Sequence, residues 1–234
     1  MRPLGWTSFA CLIAIILPLP AAAVVPWWVD EPVEDIAVCT GARFCDNFRQ
    51  GFRPVWSEAD GASIEDDRLV LRAGFWYANL ASRADLPIGD GIFEMLWNPW
   101  TVREEWKQFY VSFRYDPNRH WTTWHRVELR VDSNDLCYQS GTGGTCAPFV
   151  WLPIDYHVRI VHASGRVLVF VDGALLLKST YPAGEPATRL LLTAADDGQG
   201  QRVDWVGHRP FSGPGGMDLV DPEELRLPYL KIRK

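Results

Sequence analysis

Apolar and polar residues alternate most clearly in the second half of the chain, over residues 156–177, which read YHVRIVHASGRVLVFVDGALLL. Runs rich in Val, Leu and Ile are typical of strands, and two dipeptides interrupt them here, Ser164-Gly165 and Asp172-Gly173. Glycine accepts the positive φ that a two-residue hairpin loop requires. The segment therefore predicts three antiparallel strands joined by two tight turns.

Similar short runs, separated by turn residues, recur along most of the chain. They lie at residues 44–48, 68–72, 75–82, 91–97, 108–115, 124–132, 148–152, 188–193 and 202–208. No convincing amphipathic helix accompanies them. Many short strands without helices favour an all-β fold, in which two antiparallel sheets pack face to face as a sandwich.

The predicted strand at residues 124–132 has the most regular alternation. Val127, Leu129 and Val131 share one side, which we expect to face the core. The other side carries Trp124, Arg126, Glu128, Arg130 and Asp132. This polar side is the best candidate for a functional surface.

The middle strand of the 156–177 segment has a different pattern, because both of its sides are apolar. Val167, Val169 and Val171 alternate with Leu168 and Phe170. We expect the opposing sheet to cover one side, and a loop or a terminal segment to cover the other.

Residues 1–23 have the pattern of an export signal. Arg2 supplies a positive start, a short apolar run follows, and Ala21 to Ala23 resemble a cleavage site. A retained membrane anchor is the alternative, although the apolar run is too short to span a bilayer. We expect residues 24–37 to form a linker, residues 38–210 one β-sandwich domain, and residues 211–234 a tail. The mature protein would then be secreted or periplasmic and have no membrane span.

The charge of the chain argues against a nucleic-acid partner. The full chain has a net charge of −6, and loss of Arg2 with the signal changes it to −7. A protein with a net negative charge is repelled by the phosphates of a nucleic acid, so we expect no such partner. We expect a monomer.

Four cysteines remain after the signal. An even number in an exported protein favours disulfides, and of the three connectivities we prefer the two local ones, Cys39 with Cys45 and Cys137 with Cys146. Metal binding by these thiols is the competing interpretation, which no Cys-x-x-Cys pair or adjoining His supports.

Six short motifs follow one another along the chain in an order that can be compared with that of known domains. They are Cys45-Asp46-Asn47-Phe48, Trp56, EDDRLVL at 65–71, GIFE at 91–94, FVDG at 170–173 and VDWV at 203–206. Together they resemble the motifs of concanavalin A-like sandwich domains over residues 37–210. The resemblance implies a jelly roll with a convex sheet and a concave sheet, of which the concave one commonly carries the site. That superfamily includes lectins, laminin G-like modules, family 16 glycoside hydrolases and polysaccharide lyases, so it implies a polysaccharide or other glycan partner without fixing a reaction.

Residues 128–132, ELRVD, resemble the Glu-x-Asp-x-Glu strand of family 16 glycoside hydrolases, whose outer members are the nucleophile and the acid/base. Glu128 and Asp132 keep both outer carboxylates, but Arg130 replaces the central acid. A retaining glycosidase needs one carboxyl ionised and the other protonated. A guanidinium between them would stabilise the charged form of both, so the protonated acid would be lost.

The RVELR sequence at residues 126–130 also resembles a strand of the alginate lyases, in which arginine neutralises the substrate carboxylate before β-elimination. Such a reaction needs a base within hydrogen-bond reach. The candidates by residue type are Tyr110, Tyr138, His120 and His125, while the lyases' Gln-x-His motif is absent. Alternatively, the whole polar face is a solvated set of ion pairs.

Aromatic residues favour binding over catalysis. Trp97, Trp100, Trp106, Trp121, Trp124 and Trp151 cluster in the middle third, with Tyr110 and Tyr138. Flat rings stack on the C–H faces of sugars, although we expect at least half of these rings to be structural. Our first hypothesis is a noncatalytic module that binds glycan through Trp124, Arg126, Glu128 and Arg130, with Tyr110, Trp106 and Trp121 nearby. The alternatives are a divergent hydrolase or lyase and a laminin G-like structural or protein-binding module.

Calcium is a possible structural ion. Asp46 and Asp204 match the first and last strands of the resembling domains, which lie side by side and often share an ion. Two carboxylates with backbone carbonyls would suit a hard cation. Two ordinary edge aspartates are the alternative.

Overall fold

The computed structural model describes residues 44–74, 77–83, 89–101, 107–113, 125–140, 143–163, 165–181, 189–195 and 198–210. The predicted signal at 1–23, linker at 24–37 and tail at 211–234 lie outside these ranges. The described residues contain no helix, and therefore none long and apolar enough to cross a membrane.

Fifteen strands run through the described part of the chain. They are β1 (Phe44–Asp46), β2 (Trp56–Asp60), β3 (Ala62–Glu65), β4 (Arg68–Leu71), β5 (Ala78–Ser82), β6 (Gly91–Asn98), β7 (Gln108–Ser112), β8 (Arg126–Arg130), β9 (Asp135–Ser140), β10 (Gly143–Pro148), β11 (Tyr156–Ala163), β12 (Arg166–Val171), β13 (Ala174–Thr180), β14 (Leu191–Ala195) and β15 (Gln201–Pro210). Their pairing confirms the predicted all-β sandwich.

The strands form two antiparallel sheets. The eight-stranded sheet has the order β13-β12-β11-β6-β15-β4-β3, with β1 pairing on β15. The seven-stranded sheet has the order β10-β9-β8-β7-β14-β5-β2. Strand β8, whose polar side is the candidate surface, lies in the interior of the seven-stranded sheet between β7 and β9.

The three predicted strands at 156–177 are confirmed as β11, β12 and β13. Asp172 and Gly173 have φ of 49° and 81°, which places both central residues of the second turn in the left-handed region. This combination is the signature of a type I′ hairpin turn, whose twist matches that of the flanking strands.

The strand predicted at residues 148–152 is wrong. β10 ends at Pro148, and Trp151 instead turns its ring into the core, where its Nε1–H donates to the carbonyl of Asp135 at 3.1 Å. β2, β3 and β10 were not predicted, because their sequences are short and rich in Gly, Ala, Ser, Asp and Glu, which are poor strand formers. β9, DLCYQS, was not predicted either, because it is too short to show a clear alternation.

The core fills the space between the two sheets. Val127 and Leu129 of β8 contribute to it as their alternation predicts. The ring of Trp97 lies against Phe109, Trp151 and Tyr156, with centroids 5.1 to 6.1 Å apart, and its Nε1–H donates to Gln201 Oε1 at 3.2 Å. β8 is therefore fixed on one side by close packing, which determines which residues its other side presents.

The outer side of the eight-stranded sheet carries a second, smaller apolar cluster. Ile92, Val161, Leu168 and Phe170 are all buried there, with Leu175 packed against them. Both sides of β12 are thus shielded from water, in line with its doubly apolar sequence. Coverage of this side by a terminal segment stays a prediction, because the termini lie outside the described residues.

Glu94 forms a buried ion network beside this cluster. Its Oε1 accepts from Arg159 Nε at 2.5 Å and lies 3.1 Å from His157 Nε2. Burial alone would raise the pKa of Glu94, but the hydrogen bond from His157 and the charge of Arg159 outweigh it, so the pKa lies below its ordinary 4.5. The network stabilises the fold only while Glu94 is ionised.

Replacing Glu94 by glutamine should make folding less sensitive to acid. Since the folded pKa is depressed, the stabilisation is complete above about pH 4.5 and is lost as the pH falls through the lower folded value. At pH 7, Glu94→Gln should lower the free energy of unfolding by about 1 to 3 kcal/mol. Urea unfolding at pH 7 and at pH 3 measures both effects, and an equal acid sensitivity in variant and wild type would contradict the assignment.

The predicted disulfide between Cys137 and Cys146 is present. The two residues are directly opposite each other in the β9–β10 pair. Cys45 is also disulfide-bonded, while Cys39, its predicted partner, lies outside the described residues. The Cys137–Cys146 bond ties the edge strand β10 to the sheet beside β8.

Replacing Cys137 and Cys146 together by alanine should lower the free energy of unfolding by about 2 to 3 kcal/mol, because the unfolded chain regains the entropy of the closed loop. Urea unfolding without reductant isolates this bond, since the disulfide of Cys45 stays intact in both proteins. A loss smaller than about 1 kcal/mol would contradict the expected contribution.

Candidate functional site

The outer side of the seven-stranded sheet presents a continuous row of side chains across five strands. Strand register places Asn79 of β5, Thr193 of β14, Tyr110 of β7, Glu128 of β8 and Cys137 of β9 next to one another in that order. Their neighbours along each strand point into the core. The resemblance to concanavalin A-like domains predicts that this side is the concave one. We call the outward-facing side chains on this side of the sheet the outer row.

Glu128 is the centre of the outer row and is completely buried. Its Oε1 accepts from Arg126 Nε, and its Oε2 accepts from Arg130 Nε at 2.6 Å. The two arginine side chains are 23% and 28% exposed. The surface therefore presents guanidinium groups, with the carboxylate beneath them, and the three residues together have one net positive charge.

Tyr110 lies beside this ion cluster. The guanidinium carbon of Arg126 is 4.9 Å from the centroid of its ring, and its hydroxyl donates to Gln108 Oε1. Tyr77, which is 52% exposed, has its ring centroid 6.3 Å from that of Tyr110. Burial, and then the charge of Glu128, raise the pKa of Tyr110 far above its ordinary 10. The phenol is thus a hydrogen-bond donor and not a base.

Asp132 does not share Arg130 with Glu128, which corrects the expectation of a cation held between two acids. β8 ends at Arg130, and Asp132 lies in the turn that follows. Its Oδ2 accepts from Gln108 Nε2 at 2.7 Å, and its Oδ1 accepts from the Ser133 amide at 2.8 Å. The two carboxylates of the hydrolase hypothesis therefore belong to separate networks.

Several other predicted site residues are not in the outer row. Tyr138 and His125, two candidate lyase bases, lie in the core, where Tyr138 Oη is 2.8 Å from His125 Nδ1. Trp97 and Trp151 are also core residues, as expected for part of the aromatic set. Trp106, His120, Trp121 and Trp124 lie outside the described residues.

Residues that the sequence did not single out complete the row. Tyr77, Asn79, Gln108 and Thr193 come from strands or turns far from β8 in the chain, and Thr193 Oγ1 donates to Asn79 Oδ1 at 2.8 Å. Only strand order and register bring them together. The alternation in residues 108–112, QFYVS, was the one available signal, since it places Gln108 and Tyr110 on the same side.

Asp46 and Asp204 do not fit a shared calcium ion. Asp46 is buried, accepts from the Phe48 amide at 2.8 Å and from Trp56 Nε1 at 2.7 Å, and lies 3.6 Å from the Arg53 guanidinium. Asp204 pairs with Arg68 at 3.3 Å. Protein donors occupy both oxygens of Asp46 and one oxygen of Asp204, and the described residues contain no cluster of three or more His, Cys, Asp or Glu that could hold a metal.

Comparison with known proteins identifies the fold. No family model matches the sequence, and no curated protein matches it. Among solved structures, the Bacillus licheniformis β-glucanase is similar to this chain. The superposition extends over 72% of this chain and 98% of the glucanase, with a TM-score of 0.56 at 10% identity. The laminarinase catalytic domain of Thermotoga maritima covers 73% and 98%, with a TM-score of 0.56 at 12% identity.

A prokaryotic β-1,3-1,4-glucanase, a lichenase derived from a mouse hindgut metagenome, covers 72% of this chain and 99% of its own, with a TM-score of 0.52 at 14% identity. The chain has the concanavalin A-like jelly-roll fold. Identities this low establish the architecture alone, so the activity has to be argued from this protein's own outer row.

Replacing Glu128 by glutamine should destabilise the protein by about 1 to 3 kcal/mol, because two partly buried guanidiniums would lose their counter-charge. Glu65→Gln is the matched control, since Glu65 pairs with Arg72 on the surface and its loss should leave the unfolding midpoint nearly unchanged. Equal effects of the two substitutions in urea unfolding would show that Glu128 is an ordinary surface acid.

Proposed function

We infer that this protein is an exported glycan-binding module, which binds saccharide on the outer row of the seven-stranded sheet without cleaving it. The observation that carries this proposal is the engagement of both Glu128 carboxylate oxygens by Arg126 and Arg130. A carboxylate that is fully buried and accepts hydrogen bonds from two arginines is suited to holding their guanidiniums in place.

The outer row has the chemistry that saccharides require. The arginines offer outward N–H groups, which suit sugar hydroxyls and ring oxygens. The exposed ring of Tyr77 offers an apolar surface for a sugar face. Gln108 is held between Tyr110 and Asp132, so its position is fixed before a ligand arrives.

Cleavage by the described residues has little support. A retaining hydrolase needs two carboxyl groups facing one open cleft, whereas Glu128 is enclosed and Asp132 binds Gln108. A lyase needs a base, and the raised pKa of Tyr110 keeps its phenol protonated, while Tyr138 and His125 lie in the core. Among the described candidates, none is placed to take or give a proton.

Retention on immobilised polysaccharides tests the proposal. Wild-type protein should bind at least one member of a panel of β-glucans and polyuronates, and Tyr77→Ala should weaken that binding about tenfold, as loss of one stacking contact would. Phe52→Ala is the matched control, because Phe52 is also an exposed ring, at 40%, but it precedes the edge strand β2 and is not among the residues that strand register places in the outer row. Retention of none of the panel by folded protein would refute glycan binding.

Product analysis on the same panel tests the absence of cleavage. Neither new reducing ends nor ultraviolet absorbance from unsaturated sugars should accumulate during long incubation. New reducing ends without that absorbance would support the hydrolase alternative, and absorbance would support the lyase.

A further inference from the structure

Trp100 lies beside the eight-stranded sheet, whereas the outer row lies on the seven-stranded sheet. It follows β6, is 43% exposed and has a φ of 66°, in the left-handed region. Its amide donates to Asn98 Oδ1 at 2.7 Å, which holds the backbone in this turn. Arg202 of β15 places its guanidinium carbon 3.3 Å from the centroid of the indole.

Stability explains neither the left-handed backbone of Trp100 nor the exposure of its ring. Left-handed backbone is unfavourable for a bulky residue with a β-carbon, and glycine or asparagine would adopt it more easily. Trp100 is not among the residues of the core, so its large apolar surface gains little from burial. A strained, exposed aromatic residue of this kind is a reason to look for a ligand.

The indole is oriented as a platform. Arg202 covers one face of the ring by a cation–π contact, and a ring covered on one face can expose only about half of its surface. Trp100 is nevertheless 43% exposed, so part of the indole outside the contact with Arg202 is open to solvent. Arg202 is in register with Asn98 on the neighbouring strand β6, so the support beneath the ring belongs to the rigid sheet.

Polar groups suited to hydroxyls lie next to this platform. Asn98 Nδ2 donates to Asp155 Oδ1 at 2.8 Å, and the same carboxylate oxygen lies 3.7 Å from Arg68 Nη1. The Asp155 side chain is 27% exposed, so it can accept from a bound hydroxyl. An apolar plate beside a fixed acceptor is the arrangement that binds a sugar ring in a defined orientation.

We propose that Trp100 and Asp155 form a second saccharide-binding site, on the outer side of the eight-stranded sheet. A sugar ring stacks on the open face of Trp100, and one of its hydroxyls donates to Asp155. Part of this proposal, the nature of the ligand, rests on the proposed function. Because the outer row lies on the other sheet, the two sites can bind separate chains, and one protein molecule would then link two glycans.

The indole N–H signals of ¹⁵N-labelled protein test the second site directly. Trp100→Gly removes one signal and so assigns it, and β-1,3- and β-1,4-linked glucan oligosaccharides and oligouronates are then titrated into wild type. We expect the Trp100 signal to shift, and calorimetry to give two bound oligosaccharides per wild-type molecule but one per Trp100→Gly molecule. Trp100→Gly should melt no lower than wild type, since glycine relieves the left-handed backbone. Trp100→Phe should retain most of the binding.

The outcomes separate the two sites. Weakening of one binding event about tenfold in Tyr77→Ala, with the Trp100 shift preserved, supports both proposals. A Trp100 signal that no retained oligosaccharide moves, or an unchanged stoichiometry in Trp100→Gly, overturns the second site and leaves the outer row intact. A Trp100 shift together with full binding by Tyr77→Ala overturns the outer row instead. Absence of any binding overturns both.

Discussion

A buried carboxylate between two arginines is the interaction on which the arrangement of the outer row depends. A carboxylate removed from water is strongly unfavourable unless charged donors replace its solvation, and Arg126 and Arg130 supply them from positions two residues before and after Glu128 on the same strand. All three side chains share one side of β8 because the strand alternates, while Val127 packs in the core on the other. A strand of five residues thus builds a closed ion cluster from local sequence alone.

The neighbouring strands of the sheet extend this ion cluster into a larger surface. β8 lies between β7 and β9, so Tyr110 and the Cys137–Cys146 disulfide flank Glu128 on either side. Gln201 of the other sheet donates to the Gln108 carbonyl at 2.8 Å, which joins the two layers near the same place. The outer row is therefore preorganised by packing and covalent links, a condition that favours binding because little order has to be created when a ligand arrives.

Sequence predicted the architecture better than the site. Strong alternation and the Asp172-Gly173 turn were enough to identify the three-strand segment, and the order of short motifs indicated the jelly roll that the structural comparisons then supported. Residues 126–130 were correctly placed with their polar side outward. What sequence could not predict was that Arg130 would bind Glu128 and not Asp132, because Asp132 lies beyond the strand end and bonds Gln108. Contacts with Tyr77, Asn79 and Thr193 depend on strand order, which local patterns do not encode.

A crystal structure of the protein with an oligosaccharide that it retains would test the central claim most directly. Our account predicts an intact ligand on the outer row, contacting the outward N–H groups of Arg126 and Arg130, with Glu128 still enclosed and bonded to both. A Glu128 carboxylate released from the arginines and directed at a glycosidic bond, or a cleaved ligand in the site, would contradict it.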